Sequence, residues 1–325
     1  IAVAFWLKRE NTNRDTENAQ EDVFTKDAQW VLTPIPQAQV CIYFPAEKET
    51  SNLYFHLHAP FASTVARDSV RNCSANHVLR DHIAELLAES IHSIRDRGLL
   101  TVHALAVLPN DKDNLPQFYE PLMNRLIQEF QSKELVPMKM GGYAPASGVF
   151  RGSKTLSDLI SDKDLVFLLN DGYEPPMWVA NPPQRNQRQD NFLSMLEIEE
   201  WTEKDLLNSM CELYKDDLTK WLQLKGDKWH QRLYSLLYGI EGSTQSLRDV
   251  PIIRTSKGTY LRGCECYFPS SDTGKDNKFP RVAKEVYCSG KSEIRIIRQF
   301  LEDLGVREVD EHVEIENLLE THYGN

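Results

Sequence analysis

The sequence predicts an α/β domain followed by two related α+β units that a helical segment joins. Three observations carry this reading. The N-terminal part alternates strand-like runs with segments of helical apolar period. A motif that opens on Val-Pro and closes on Phe-Leu-x-x-Leu occurs twice in the remainder. Between its copies runs a stretch of helical period without strand signals.

The strand candidates are residues 1–8, 39–44 and 53–59, the last two separated by a charged turn at 46–52. Residues 9–27, rich in Asn, Asp, Glu and Thr, read as a mobile loop. Leu79, Ile83, Leu86, Leu87 and Ile94 recur at helical spacing over 76–97, and Gly98 is placed to end that helix. The apolar run 99–108 predicts a strand, and Leu122, Leu126, Ile127 and Phe130 predict a second helix. Strands, crossover helix, strand and helix bound a first domain at 1–134.

In the remainder, Val136-Pro137 opens a segment that passes Gly142-Tyr143 and ends in Phe192-Leu193 and Trp201. Val250-Pro251 opens another that passes Gly258-Thr259-Tyr260 and ends in Phe300-Leu301 and Val309. These predict α+β units at 135–201 and 246–325, each with a strand pair ahead of the Phe-Leu helix. The helical segment, 202–245, starts at Thr202 with Asp205 in capping-box spacing and carries Leu206, Met210 and Leu213 as an apolar stripe. Trp221 and Trp229 in that run read as core.

Hydrophobic residues make up 41% and charged residues 26%, as in a soluble globular protein, and 325 residues suffice for two or three domains. A net charge of -11 argues against a broad nucleic-acid surface, which needs clustered Lys and Arg. The longest apolar stretch, 99–108, is interrupted by His103 and too short to cross a bilayer. Cys41, Cys73, Cys211, Cys264, Cys266 and Cys288 are scattered, which predicts a reducing, cytoplasmic setting. The opening Ile-Ala-Val-Ala-Phe-Trp, already strand-like and without Met, predicts a piece of a longer chain.

Two pairs have ligand-like spacing. His56 and His58 share one face of a strand, where the polar side of a half-buried strand is the favoured reading. Cys264 and Cys266 would point to one side of a strand, yet no second pair lies at zinc-site spacing. No metal site is expected. Arg185 and Arg188, beside amide side chains in 183–189, can contact phosphates or sit in a solvated loop.

The segment His58-Ala-Pro-Phe-Ala-Ser-Thr-Val-Ala-Arg-Asp-Ser-Val-Arg71, followed by the 76–95 helix, resembles sacsin-type repeats. There a hydrophobic strand leads to a Phe, a Thr or Ser-Asn, and an Arg. Ile42-Tyr-Phe-Pro45, a short strand closed by Pro, suits that family. The same place is similar to the middle domain of the ninety-kilodalton heat-shock chaperones, where the Arg of a Ser-Arg-Glu segment reaches ATP held by the neighbouring domain. Val65-Ala-Arg67-Asp68 matches with Ala for Ser, and Arg71 stands where those chaperones carry Gln. Arg298-Gln-Phe-Leu-Glu-Asp-Leu-Gly-Val-Arg-Glu-Val309, followed by Glu314-Ile-Glu-Asn-Leu-Leu319, resembles large proteins expected to start with a sacsin-like ATPase domain. The resemblance covers 1–130 best and the rest more loosely.

The resemblance implies a transducer-like first domain with a left-handed βαβ crossover, against the usual right-handed one. It implies that Arg67, and second Arg71, contact the ATP γ-phosphate in trans. ATP and Mg would then lie in a preceding nucleotide-binding domain of the same protein, with no cofactor on this chain alone. That domain's acidic-Asn helix, Asp-x-Gly turn and Gly-rich lid are not found here as a set, nor is a P-loop or a Gly-x-Ser-x-Gly elbow. No complete active site is therefore expected. The residues leave another reading open, in which both arginines pair on the surface with Asp68 or helix acids such as Asp81. Two further functions stand beside the ATPase role: a module binding a client or partner protein, and a nucleic-acid-associated module of a large ATPase.

Overall fold

The computed structural model describes residues 1–10, 29–169, 177–180, 185–269, 279–287 and 291–309. The chain divides into two compact units, Ile1–Arg151 with Pro176–Glu200 and Gly152–Pro175 with Trp201–Asn325. The stretch 135–201 is thus shared between the two. The architecture is mixed α/β with small sheets. Among the described residues no helix is long and apolar enough to cross a membrane.

In the first unit, β1 (Ala2–Ala4), β4 (Val40–Cys41) and β5 (His56–His58) form one sheet, while β2 (Trp6–Glu10) and β3 (Gln29–Thr33) form a separate antiparallel ribbon. β5 is central, antiparallel to β1 and parallel to β4, with Leu57 opposite both Val3 and Val40. Alternation explains its placing: Phe55, Leu57 and Ala59 are buried, whereas His58 is exposed and His56 accepts the Gln39 amide at Nδ1 (2.8 Å). β3 was not anticipated by the strand pattern. The expected loop at 9–27 falls largely outside the described residues.

Helix α1 (Ser74–Asp96) buries Ile83, Ala84, Leu87, Ala88, Ile91 and Ile94 against β1 and α2 (Glu120–Ser132). It stops where Gly98 takes a left-handed φ of 70° and the Leu99 amide donates back to the Ile94 carbonyl (3.0 Å). Residues 99–108 are not a strand. Ala104–Val107 is a 3-10 helix, entered through Thr101, whose carbonyl and hydroxyl both accept the Ala104 amide. Leu100, Leu105, Val107 and Leu108 are all buried, and a short apolar run buried all round carries no period to separate strand from helix. The β1–β5–β4 sheet lies wholly before α1 in the chain, so among the described residues α1 does not join two strands of one sheet as the expected crossover requires.

The two segments share a pairing pattern, in a register other than the expected one. In the first unit β6 (Val136–Pro137) pairs with β7 (Tyr143–Ala144), and β8 (Val149–Arg151) leads out to α3 (Lys154–Leu159) and α4 (Asp162–Leu169) of the second unit. The chain returns as β9 (Met177–Trp178), α5 (Arg188–Ser194) and β10 (Glu199–Glu200), and β8 lies between β9 and β10, parallel to both.

The second unit continues through α6 (Glu203–Glu212), α7 (Lys215–Gln223), α8 (Asp227–Tyr238) and α9 (Ser243–Ser246). It closes with β11 (Ile253–Arg254), β12 (Tyr260–Leu261) and α10 (Lys291–Asp303). Here Ile253-Arg254, rather than Val250-Pro251, is the counterpart of Val136-Pro137. Arg254 faces Tyr260 as Pro137 faces Tyr143, and Thr255 bridges Val282 as Met138 bridges Val179. Tyr267, like Phe150, bridges in parallel to both later segments, at Arg281 and Arg307. Phe192, Leu193 and Leu196 match Phe300, Leu301 and Leu304, all buried, and the turn after each is left-handed, at Glu197 (φ 55°) and Gly305 (φ 101°).

One position separates the copies energetically. Ala146 is buried in the first copy, but its counterpart Gly263 lies so close to Leu304 that a Cβ there would stand 2.2 Å from the Leu304 carbonyl oxygen. Backbone cannot move aside as a side chain can. Gly263→Ala should therefore cost about 1–3 kcal/mol or more, read as a lower denaturation midpoint, with Ala146→Gly the mild control.

The helices of the second unit follow local chemistry. Thr202 and Asp205 form the expected capping box, the Asp205 carboxylate accepting the Thr202 amide at 2.8 Å. Cys264 and Cys266 do not share a side. They fall in and after a 3-10 turn (Gly263–Glu265), Cys264 exposed and Cys266 buried, where burial pushes its thiol up to about 12.

His230 is fully buried on α8. Its Nδ1 donates to the Gly226 carbonyl (2.9 Å), so the neutral ring presents Nε2 to the Tyr260 hydroxyl (2.9 Å). Burial first, then the nearby Arg254 and Lys225 charges, depress it from 6.5 to about 4, against the opposing pulls of the Gly226 hydrogen bond and Asp227. The unfolded chain thus binds a proton that the folded chain refuses between those values. Stability is complete above pH 6.5 and falls as pH drops towards 4. The loss from pH 7 to 5 should be about 2 kcal/mol, seen in denaturation midpoints and flattened by His230→Phe.

Candidate functional site

The 62–71 segment forms a small hairpin. Ala59 and Phe61 anchor its root in the core. The Arg71 amide donates to the Ala62 carbonyl (2.9 Å), Ser63 and Val70 form an antiparallel bridge, and the Thr64 amide donates to the Ser69 carbonyl (3.1 Å). The tip closes as the Arg67 amide donates to the Thr64 carbonyl (3.0 Å), with Arg67 itself left-handed at φ 62°. That backbone region costs a non-Gly residue about 1 kcal/mol, and strain of this kind gathers at functional sites.

Three groups from outside hold the hairpin. Asp68 pairs with Lys48 (2.7 Å) and accepts from Thr64 and Ser69; the Lys48 contact, first among these, holds its carboxyl below the usual range. Glu49 accepts the Val70 amide on one oxygen (2.7 Å) and the buried Tyr119 hydroxyl on the other (2.7 Å). Burial and then Glu49 push the Tyr119 phenol upward. Asn76, buried in the first turn of α1, bonds to Ala62 and Arg71 at the hairpin's two ends.

Arg67 and Arg71 are both exposed, one at the tip and one at the base, and are not brought together. Neither takes the carboxylates that a surface-pair reading offers: Asp68 holds Lys48, and Asp81 holds Arg80 at 2.7 Å. Arg71 instead approaches the Cys73 thiol at the start of α1. The Asn76 amide first, and then Arg71, draw that thiol below its usual value. Val65, beside Arg67, is fully exposed.

The phosphate contacts considered for 183–189 lose one member. The Arg188 guanidinium is taken up by Asp113, by the Ala106 and Leu108 carbonyls (2.6 and 2.9 Å) and by the Tyr54 ring, whose centroid lies 3.4 Å away. Arg185 is exposed, while 183 and 184 lie outside the described residues, as do Cys288 and 314–319. Among the described residues no group of three or more His, Cys, Asp or Glu could hold a metal ion. Three isolated Asp-x-Gly triplets occur, one of them Asp303-Leu304-Gly305 at the end of α10. Asp96-Arg97-Gly98 ends α1, and Asp272-Thr273-Gly274 lies outside the described residues.

The clamp of Lys48, Glu49, Asn76 and Tyr119 is not legible as a motif, because its members are distant in sequence. An Asn in the first turn of a helix that follows an unexplained loop is the one signal pointing to it. No protein-family model matches the chain, and neither the curated proteins nor the solved structures contain a significant match.

Proposed function

We propose that this chain is the non-catalytic middle part of a multidomain, sacsin-like and chaperone-like ATPase of the GHKL type. It couples ATP binding and hydrolysis in a preceding domain to domain movement or partner binding. One observation supports it most: Arg67 stands exposed, with no carboxylate partner among the described residues, on a hairpin that three outside groups hold in shape.

The chain's own contribution is electrostatic and positional. Charge gathers on the γ-phosphoryl oxygens as the transferred group loosens, and a guanidinium stabilises it through a planar fork that never deprotonates. Supplying that group from another domain makes turnover conditional on docking. In this reading Arg67 makes the contact, Arg71 adds positive charge at the base, and ATP and Mg belong to the partner domain. The test is ATP turnover by the full-length protein carrying Arg67→Ala. Turnover equal to that of the unaltered protein overturns the proposal.

A protein-interaction role has separate support. Trp6 and Trp30 on the β2–β3 ribbon are each more than half exposed, as is Tyr43. Large exposed aromatics of this kind mark partner surfaces. Trp6→Ser with Trp30→Ser should leave turnover unchanged while weakening capture of a client by the full-length protein.

A further inference from the structure

The 62–71 hairpin does not owe its shape to its own sequence. Short hairpins favour Asn-Gly or Asp-Gly at the turn, where positive φ is easy. This one turns through Val65, Ala66 and Arg67, a β-branched residue and two with no such preference. A two-stranded hairpin of this size is marginal by itself. The fold must therefore impose the conformation from outside.

Asn76 is placed to do so. Its side chain is fully buried and its bonding capacity is closely matched. Oδ1 accepts the Ala62 amide (2.8 Å), and Nδ2 donates its two hydrogens to the Ala62 carbonyl (2.8 Å) and the Arg71 carbonyl (2.6 Å). One amide thus grips the first and last residues of the hairpin from within α1, the longest helix described. The Glu49 and Lys48 contacts act higher up, at Val70 and Asp68, so the base depends on Asn76.

We propose that Asn76 is a positioning residue that holds the hairpin preformed, so that Arg67 is presented without an ordering step when its partner docks. This rests on the trans-arginine reading for its functional consequence, but the clamp itself can be observed without it. Displacing a positioned group by about an ångström can cost on the order of a hundredfold in rate.

The experiment has two arms. In this chain, residue-resolved amide exchange is compared for the unaltered protein, Asn76→Ala and Asn76→Asp. Asn76→Ala should speed exchange at Ala62, Thr64, Arg67 and Arg71 at least tenfold (order of magnitude), leaving Leu87 and Ile91 in α1 unchanged. Asn76→Asp keeps the acceptor for the Ala62 amide, so protection should persist there and fall at Arg71. It also serves as the readout if Asn76→Ala does not fold. Unchanged exchange at all four amides overturns the clamp.

In the full-length protein, Asn76→Ala should lower ATP turnover by up to roughly a hundredfold, and Asn76→Ala with Arg67→Ala should be no slower than Arg67→Ala alone. A double variant slower than Arg67→Ala overturns action through Arg67. If Arg67→Ala alone leaves turnover unchanged, the trans-arginine reading fails. The exchange arm then decides whether the clamp exists.

Discussion

Lys225→Met is expected to destabilise the second unit by about 3–5 kcal/mol, the cost of leaving a buried carboxylate without its counter-charge. The carboxylate is that of Asp164, which is almost fully buried. It accepts from the Trp221 indole N–H (2.8 Å), the Ser161 amide (3.0 Å) and hydroxyl (2.7 Å), and the Lys225 ammonium. Burial alone would push this carboxyl up. The hydrogen bonds from Lys225, Ser161 and Trp221 outweigh it and hold the group below the usual carboxylate range. The ammonium also lies 5.4 and 5.3 Å from the centroids of Trp221 and Trp229, two rings set at 88° to each other. Met retains the aliphatic stem that fills this box, so the loss reports charge rather than packing.

Two companion variants separate the terms. Asp164→Asn keeps acceptor capacity but strands the ammonium, and should also destabilise. Lys225→Met with Asp164→Asn removes both charges and should recover much of the single-variant loss, since a neutral replacement for a buried pair is often tolerated. The measurement is the urea midpoint of each variant at constant m-value. A loss below about 1 kcal/mol for Lys225→Met would place the pair among ordinary surface contacts.

The Asp164–Lys225 pair shows what a sequence hides. Trp221 is legible as core from its helical spacing, and it is buried. That its indole N–H is satisfied by a carboxylate far earlier in the chain is not legible, because nothing local records the partner. The same division holds elsewhere. Helix α1 is readable from Ile83, Leu87 and Ile94, since one face meets one core, and the Thr202 cap is readable because both partners lie within four residues. The 99–108 run is misread because burial on all sides erases the period. The two α+β copies are visible through Phe192-Leu193 and Phe300-Leu301. Their register emerges only from pairing, since Pro137 and Arg254 occupy the same place with unlike chemistry. Of the candidate site, Arg67 is reached by resemblance, but Glu49, Asn76 and Tyr119 require the fold.

Arg67→Ala in the full-length protein is expected to lower ATP turnover on the order of a thousandfold or more, with nucleotide affinity nearly unchanged. A thousandfold corresponds to about 4 kcal/mol of transition-state stabilisation, far above what a solvated surface arginine contributes to anything. Affinity should hold because the guanidinium gains its partner only as charge builds on the transferred phosphoryl group, so kcat and kcat/KM fall together. Arg67→Lys should restore only part of the rate, since an ammonium lacks the planar fork. The hairpin supplies a sharper variant. Arg67 is left-handed, so Arg67→Gly relieves backbone strain and should leave the melting temperature of this chain equal or slightly higher, while turnover drops as far as in Arg67→Ala. Stability and activity moving in opposite directions is what a functional group held at a strained tip predicts. If Arg67→Gly instead lowers stability and leaves turnover intact, Arg67 serves the hairpin and not the phosphate.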